Sequence, residues 1–268
     1  MLLVIKVGGD LLANGLPENL VDELISLNQT CRIVLVHGGG DIVTELSTKL
    51  GHPPKFLVSP RGFRSRYTDR ETAEIFTMVM AGRVNKEVIR QLQTKGMMAV
   101  GLSGLDGQLI KATRKKQLIV LDERNRRRVV DGDYTGQIRS INTQLLNLLL
   151  DSKYVPVVSP VAIGEECEPL NVDADRTASN TASSMKADRL VLLTDVQNVV
   201  LDGKPVDRLH VSEAKEIIEK LGAGMITKVF AAVEAVEAGV PEAIIASGLI
   251  EQPLSKAINH ETGTVIYK

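Results

Sequence analysis

Tryptophan is absent from this sequence, and aromatic residues of all kinds make up only 3% of it. A surface that binds nucleic acid by stacking bases needs aromatic rings in number, so that class is set aside. Cysteine is almost as scarce. Cys31 and Cys167 lie far apart in no metal or redox spacing, which reads as two reduced thiols. The four histidines are scattered, with no pair at helical ligand spacing. No apolar run approaches membrane-spanning length. Met1 leads straight into a strand without the basic flank or cleavage site of an export signal, so a cytoplasmic protein is expected. Excess charge is missing too: 32 Lys+Arg stand against 33 Asp+Glu, a net −1 that directs the chain to neither DNA nor membrane. Two common phosphate signatures, G-x-x-x-x-G-K-S/T and G-x-G-x-x-G after a strand, are also lacking, so any nucleotide is held by another architecture.

What is present is apolar strand running into glycine, twice within forty residues: Leu2-Leu3-Val4-Ile5-Lys6-Val7-Gly8-Gly9 and Ile33-Val34-Leu35-Val36-His37-Gly38-Gly39-Gly40. Each is followed by a helical pattern. Glycine after a buried strand lets bare N–H groups approach a ligand, and the helix N-terminus adds positive partial charge. Glycine pairs at strand ends also serve merely as tight turns. Two of them, with Lys6 at the lip, point to a phosphate cradle.

At 268 residues and 44% hydrophobic content, the chain suits one large α/β domain or two lobes sharing a sheet. Strand candidates are 2–7, 32–37, 97–102, 155–159, 189–194, 242–247 and 264–267, alternating with helical periodicity at 17–28, 40–50, 69–95, 141–151, 175–186, 212–220 and 225–238. This alternation predicts a mostly parallel sheet covered by helices on both faces. The expected division falls near Pro156 to Pro160, giving lobes 1–155 and 156–268.

Region 108–140 departs from the pattern and reads as short antiparallel strands. Between Lys111 and Arg139 it carries nine basic residues, among them Lys115, Lys116, Arg124, Arg126, Arg127 and Arg128, against four acidic ones. Basic edges that discourage aggregation would explain it. A landing site for an acidic macromolecule explains it equally well.

The second half adds polar residues at element ends. Asn171-Val172-Asp173-Ala174-Asp175 opens a helix, where Asp175 also makes a plausible cap. Thr194-Asp195 ends a strand, the edge at which open α/β sheets bind ligands. Gly222-Ala223-Gly224 precedes Lys228, about one turn into a helix; alone, such a lysine is a surface residue.

Taken in order, Lys6-Val7-Gly8-Gly9, His37-Gly38-Gly39-Gly40, Arg66-Tyr67-Thr68-Asp69, Asn171 to Asp175, Thr194-Asp195-Val196 and Gly224 to Lys228 resemble the amino acid kinases, within them the acetylglutamate-kinase branch. The matching segments cover essentially the whole chain. Leu50 to Phe56, Ser65 to Arg70, Gly101 to Gly107 and Gly132-Asp133-Tyr134-Thr135-Gly136 further resemble the [LysW]-aminoadipate and [LysW]-glutamate kinases of lysine and arginine biosynthesis. In that group the substrate is borne on a small acidic amino-group carrier protein.

The resemblance implies a three-layer αβα sandwich of carbamate-kinase type. Its N-terminal lobe holds the acyl substrate and builds a homodimer, and its C-terminal lobe holds MgATP. It implies Lys6, Lys228 and Asp175 as catalytic residues. Gly8, Gly9, Gly39, Gly40 and Asp195 fall on the nucleotide phosphates, with no metal site of the protein's own. Gly39, Gly40, Arg66 and Asn171 fall on the acyl substrate, and the basic hairpin on the carrier. Asp41 stands where acetylglutamate kinases usually place proline. The chain starts at the first strand, without the N-terminal helix of arginine-inhibited members, so arginine feedback by that route is not expected. A kinase of free acetylglutamate and a non-catalytic sensor on the same fold are the competing expectations.

Overall fold

The computed structural model describes residues 1–268, apart from the side chain of Ala223. Along the chain, β1 (Leu2–Val7) leads through α1 (Glu18–Asn28) to β2 (Arg32–His37) and α2 (Gly40–Lys49). A small hairpin, β3 (Phe56–Val58) with β4 (Arg64–Arg66), precedes α3 (Arg70–Thr77), a π-helical stretch at Met78–Val84 and α4 (Asn85–Thr94). Then come β5 (Ala99–Leu102), β6 (Ile110–Arg114), β7 (Gln117–Leu121), β8 (Arg127–Asp131), β9 (Gly136–Ile141) and α5 (Thr143–Asp151). The middle holds β10 (Val155–Val158), β11 (Val161–Ile163), β12 (Pro169–Asn171) and α6 (Ala174–Ser184). β13 (Arg189–Thr194) is followed by the hairpin β14 (Val199–Leu201) and β15 (Lys204–Val206), then β16 (Arg208–His210) and α7 (Val211–Ile217). The chain closes with α8 (Ala223–Glu237), β17 (Glu242–Ser247), α9 (Pro253–Ile258) and β18 (Thr264–Tyr267).

Among the described residues the central sheet has eight strands in the order β16-β18-β17-β13-β1-β2-β10-β5. Every pairing in it is parallel except β17 with β18. The continuous apolar runs read from sequence are what a parallel sheet covered on both faces requires. Parity along β1 decides which side each residue serves. Leu3, Ile5 and Val7 join the core formed with Leu20 and Leu24 of α1, Leu92 of α4 and Leu254 of α9. Val4 joins the opposite core with Ala178 and Ala182 of α6 and Val229 and Ala232 of α8. Lys6 shares Val4's parity, so its side chain leaves the sheet toward α6 and α8.

The division at 155/156 is not where the strands part. β10 is inserted between β2 and β5, and β11 and β12 form a second sheet with β6 and β9. Residues 155–171 therefore pack with the first half, and the chain crosses over at α6. Pairing partners decide this, and a short apolar run does not reveal them. Region 108–140 is two hairpins in series: β6–β9 at its base and a separate two-stranded arm, β7–β8, beyond. The single helix expected over 69–95 is interrupted by the π-helical turn, a feature common at functional sites.

Just after that turn, Asn85 is fully buried and donates from Nδ2 to the Val157 carbonyl (2.9 Å) and to His37 Nε2 (3.1 Å). His37 Nδ1 therefore carries the proton and donates to the Gly38 carbonyl at 2.9 Å. A Cβ on Gly101 would lie 1.9 Å from Asn85 Oδ1, which is why a glycine stands opposite. The triad fixes the end of β2 where the glycine turn begins. Burial pushes the His37 imidazole down to about 4 from 6.5. The unfolded chain thus takes up a proton that the folded chain refuses, and stability should fall as pH drops from 6.5 to about 4. The loss reaches roughly 3 kcal/mol at the acid end. Urea unfolding across that window should show a shallower pH slope in His37→Gln than in the parent chain. Equal slopes would refute this account.

Candidate active site

The C-terminal ends of β1, β2 and β13 lie on one edge of the sheet, and the turns that follow β1 and β2 touch. A Cβ on Gly9 would come within 2.9 Å of the Gly39 nitrogen, and one on Gly38 within 2.8 Å of the Gly9 nitrogen. Gly39 takes φ of +147°, which only glycine adopts without strain. The N–H of Gly38 is spent on the Val7 carbonyl (2.8 Å), and that of Gly8 on the Leu193 carbonyl (3.0 Å). Gly8 therefore cannot offer its donor to a phosphate, contrary to the sequence expectation. Its role is to join β1 to β13. The N–H groups of Gly9, Gly39 and Gly40 have no main-chain acceptor among the described residues.

Beneath these turns lies an ion cluster. Lys6 Nζ is 2.7 Å from Asp175 Oδ1, and Lys228 Nζ is 3.3 Å from Asp175 Oδ2. The Lys6 and Asp175 side chains are each 5% exposed and that of Lys228 14%. Burial works against the Asp175 carboxylate, yet the two ammonium groups outweigh it and hold its carboxyl below the usual range. Burial lowers Lys6, with Asp175 opposing. Burial also opposes the charge on Lys228, but Asp175 prevails and raises it. Asp175 is not the helix cap: Asp173 caps α6, accepting from the Arg176 nitrogen at 2.8 Å. The cap sets Asp175 in the first turn, facing the lysines. Arg176 binds Glu234 of α8 through two bonds of 2.9 and 2.7 Å, fixing the helix that carries Lys228 against the one that carries Asp175.

A cavity of about 330 Å³ opens over this cluster, lined by Lys6, Gly9, Gly39, Gly40, Arg66 and Asn171 among others. Arg66 is 8% exposed; its Nη2 donates to the Gly40 carbonyl (2.8 Å) and Thr44 Oγ1 (2.9 Å). Burial pulls its guanidinium down to about 10, with Asp41 resisting. Asn171 donates from Nδ2 to Thr68 Oγ1 (2.9 Å), tying β12 to the Arg66 segment. Asp195 stands apart on the surface at the end of β13 and does not line the cavity.

The basic residues of region 108–140 separate into two groups. Arg124, Arg126, Arg127 and Arg128 are exposed on the outer arm, with Arg126 held by Asp122 at 2.9 Å. Lys115, at the base, lines the cavity itself, and Lys116 lines a neighbouring one of about 490 Å³. Asp173, Arg176 and Thr135 also line the active cavity and were not singled out from sequence. Asp173 carried a signal that went unread: an acidic residue just before a helix is a cap candidate.

The Amino acid kinase family model matches residues 1–247. A [LysW]-aminoadipate/[LysW]-glutamate kinase of Sulfolobus acidocaldarius is 45% identical over 266 residues, covering 99% of this chain and 100% of that one. A Cenarchaeum symbiosum protein, given the same name provisionally, is 51% identical over 265 residues and 99% of each chain. Among solved structures, smu.665 of Streptococcus mutans UA159 superposes with a TM-score of 0.80 at 24% identity. It covers 99% of this chain and 98% of its own, a likeness of fold.

Removing the carboxylate would leave two buried ammonium groups facing each other. Asp175→Ala should cost about 3–5 kcal/mol of stability, the penalty for orphaning one side of a buried pair. Denaturant unfolding at neutral pH checks this, and a loss below about 1 kcal/mol would contradict the cluster's assigned strength.

Proposed function

Because the chain belongs to the amino acid kinase family, we propose that it transfers the γ-phosphoryl group of MgATP to a side-chain carboxylate. The acceptor is 2-aminoadipate or glutamate borne on a LysW-like carrier protein, and the product is an acyl phosphate of lysine or arginine biosynthesis. The observation that carries the reading is Asp175 held between Lys6 and Lys228 beneath the N–H groups of Gly9, Gly39 and Gly40. The names of relatives up to 51% identical over nearly full length supply the acyl substrate and its carrier.

The chemistry follows from the residues. A carboxylate is ionised at neutral pH, so the nucleophile needs no general base. An acceptor oxygen bonds to the γ-phosphorus as the bridging β–γ oxygen leaves with ADP. What the protein must supply is alignment of two anions and compensation of charge on the transferring group. Lys6 and Lys228 are the cations for that task, Lys228 on the leaving side, and Asp175 keeps both oriented and charged. Its two oxygens face ammonium groups, so magnesium is taken to arrive on the nucleotide rather than in a carboxylate cage. Arg66 and Asn171 hold the acyl substrate, and Asp195 serves the nucleotide side. The outer arm with Arg124, Arg126, Arg127 and Arg128, joined by Lys115 and Lys116, receives the acidic carrier. The family resemblance extends the reading to a cytoplasmic homodimer with the acyl site in the first half and MgATP in the second.

Lys6→Ala and Lys228→Ala should each lower kcat about a hundredfold or more while the chain stays folded. Wild-type turnover in either variant removes that lysine from the mechanism. In competition assays, carrier-linked aminoadipate or glutamate should be phosphorylated in preference to free acetylglutamate. The combined change of Arg126, Arg127 and Arg128 to Ala should raise KM for the carrier-linked substrate and flatten its salt dependence. Equal KM values at low salt would make the arm a solvated surface and nothing more.

A further inference from the structure

Apart from Asp175 Oδ1, which is ion-paired with Lys6, two buried polar atoms that line the active cavity have no hydrogen-bond partner: Arg66 Nη1 and the hydroxyl of Thr135. Such atoms are rare in folded proteins, because each has lost water without compensation. Their common feature is the cavity they border. Arg66 is already positioned through its other terminal nitrogen, so Nη1 is a donor held in place and unspent.

Thr135 is fixed just as firmly by its backbone. Its carbonyl accepts from the Lys115 nitrogen at 2.8 Å, its nitrogen donates to the Gly132 carbonyl at 3.0 Å, and it bridges to Asn171. The next residue, Gly136, is pressed so closely that a Cβ would lie 2.8 Å from a Val172 methyl. Only the hydroxyl is left over. Lys115, its hydrogen-bonded neighbour, borders the same cavity and adds positive charge there. A charged donor, a hydroxyl and a nearby ammonium thus border the same cavity as Lys6 and the glycine turns and offer partners for acceptor oxygens of the substrate.

We propose that Thr135 is a substrate-recognition residue, whose hydroxyl acts with Arg66 Nη1 to bind the carboxylate and amide oxygens on the α-carbon of the acyl substrate. The inference rests on the phosphotransfer reading, but it does not require the carrier. An α-carboxylate beside an amide is common to carrier-linked and acetylated acidic amino acids.

The test is Thr135→Val, which keeps the shape and removes the hydroxyl, with Thr135→Ser as the restoring variant. Steady-state assays vary the acyl substrate at saturating MgATP, then MgATP at saturating acyl substrate. Carrier-linked glutamate and free acetylglutamate are used in parallel. The valine variant should raise KM for the acyl substrate roughly tenfold, as loss of one hydrogen bond to a charged or strongly polar group does. Its kcat and its KM for MgATP should change by no more than about twofold, and serine should recover most of the loss. An unchanged acyl KM in a natively folded Thr135→Val overturns the proposal, as does an equal rise in KM for MgATP. If the valine variant does not fold, calorimetric titration of Thr135→Ala and Thr135→Ser with the acyl substrate decides: equal affinities overturn the proposal. Preference of the parent enzyme for acetylglutamate would defeat the carrier reading alone, and the Thr135 comparison would then be read on acetylglutamate.

Discussion

One buried carboxylate paired with two ammonium groups is the constraint around which this molecule is arranged. Moving any of the three charges into the interior carries a desolvation cost of several kcal/mol, and mutual attraction offsets it only when the geometry is held. That geometry draws on three separate elements: β1 for Lys6, α6 for Asp175 and α8 for Lys228. Each has its own fastening. β1 is locked between β2 and β13, α6 is set by the Asp173 cap, and α8 is bound to α6 through Arg176 and Glu234. The cluster retains one net positive charge, and the helix-start N–H groups above add partial positive charge to it. A polyanion relieves both at once.

The glycine turns solve a related problem. Phosphate oxygens need donors that come close and do not rearrange, and main-chain N–H groups meet that need where no side chain intervenes. Contact between the two turns makes them mutually dependent, since displacing Gly39 would displace Gly9. The His37–Asn85 contact braces one of them from inside the core. The π-helical turn just before Asn85 changes the helical phase at the point where that amide enters the core.

Much of this was legible in the sequence because it is local. Apolar runs mark the principal strands to within two residues, and glycine pairs mark the two turns that touch. Lys6 stands out because it sits at the lip of the paired glycine turns. The rest depends on long-range pairing. No local pattern says that β10 sits between β2 and β5, or that Gly8 spends its N–H on Leu193. Asp175 and Asp173 have the same chemistry two residues apart, and only helix phase separates the cap from the residue facing the lysines. Lys115 and Arg126 look alike in a basic tract; one follows β6 and lines the cavity, the other sits in the exposed turn between β7 and β8. Thr135 lies in the Gly132–Gly136 segment that carries the resemblance, but nothing there singles out its side chain, because its significance is the bond it does not make.

The outer arm β7–β8 closes its ladder on itself, and the base keeps its own register through the Lys115–Thr135 bond. On the proposed reading, the phosphoryl-transfer cluster and most of the carrier-docking surface are thereby housed in different parts of the chain. Changes in the length or charge of the arm leave the bonds that hold Lys115 and Thr135 untouched. A lineage built on this plan could exchange one macromolecular client for another through surface substitutions, without passing through an inactive ancestor.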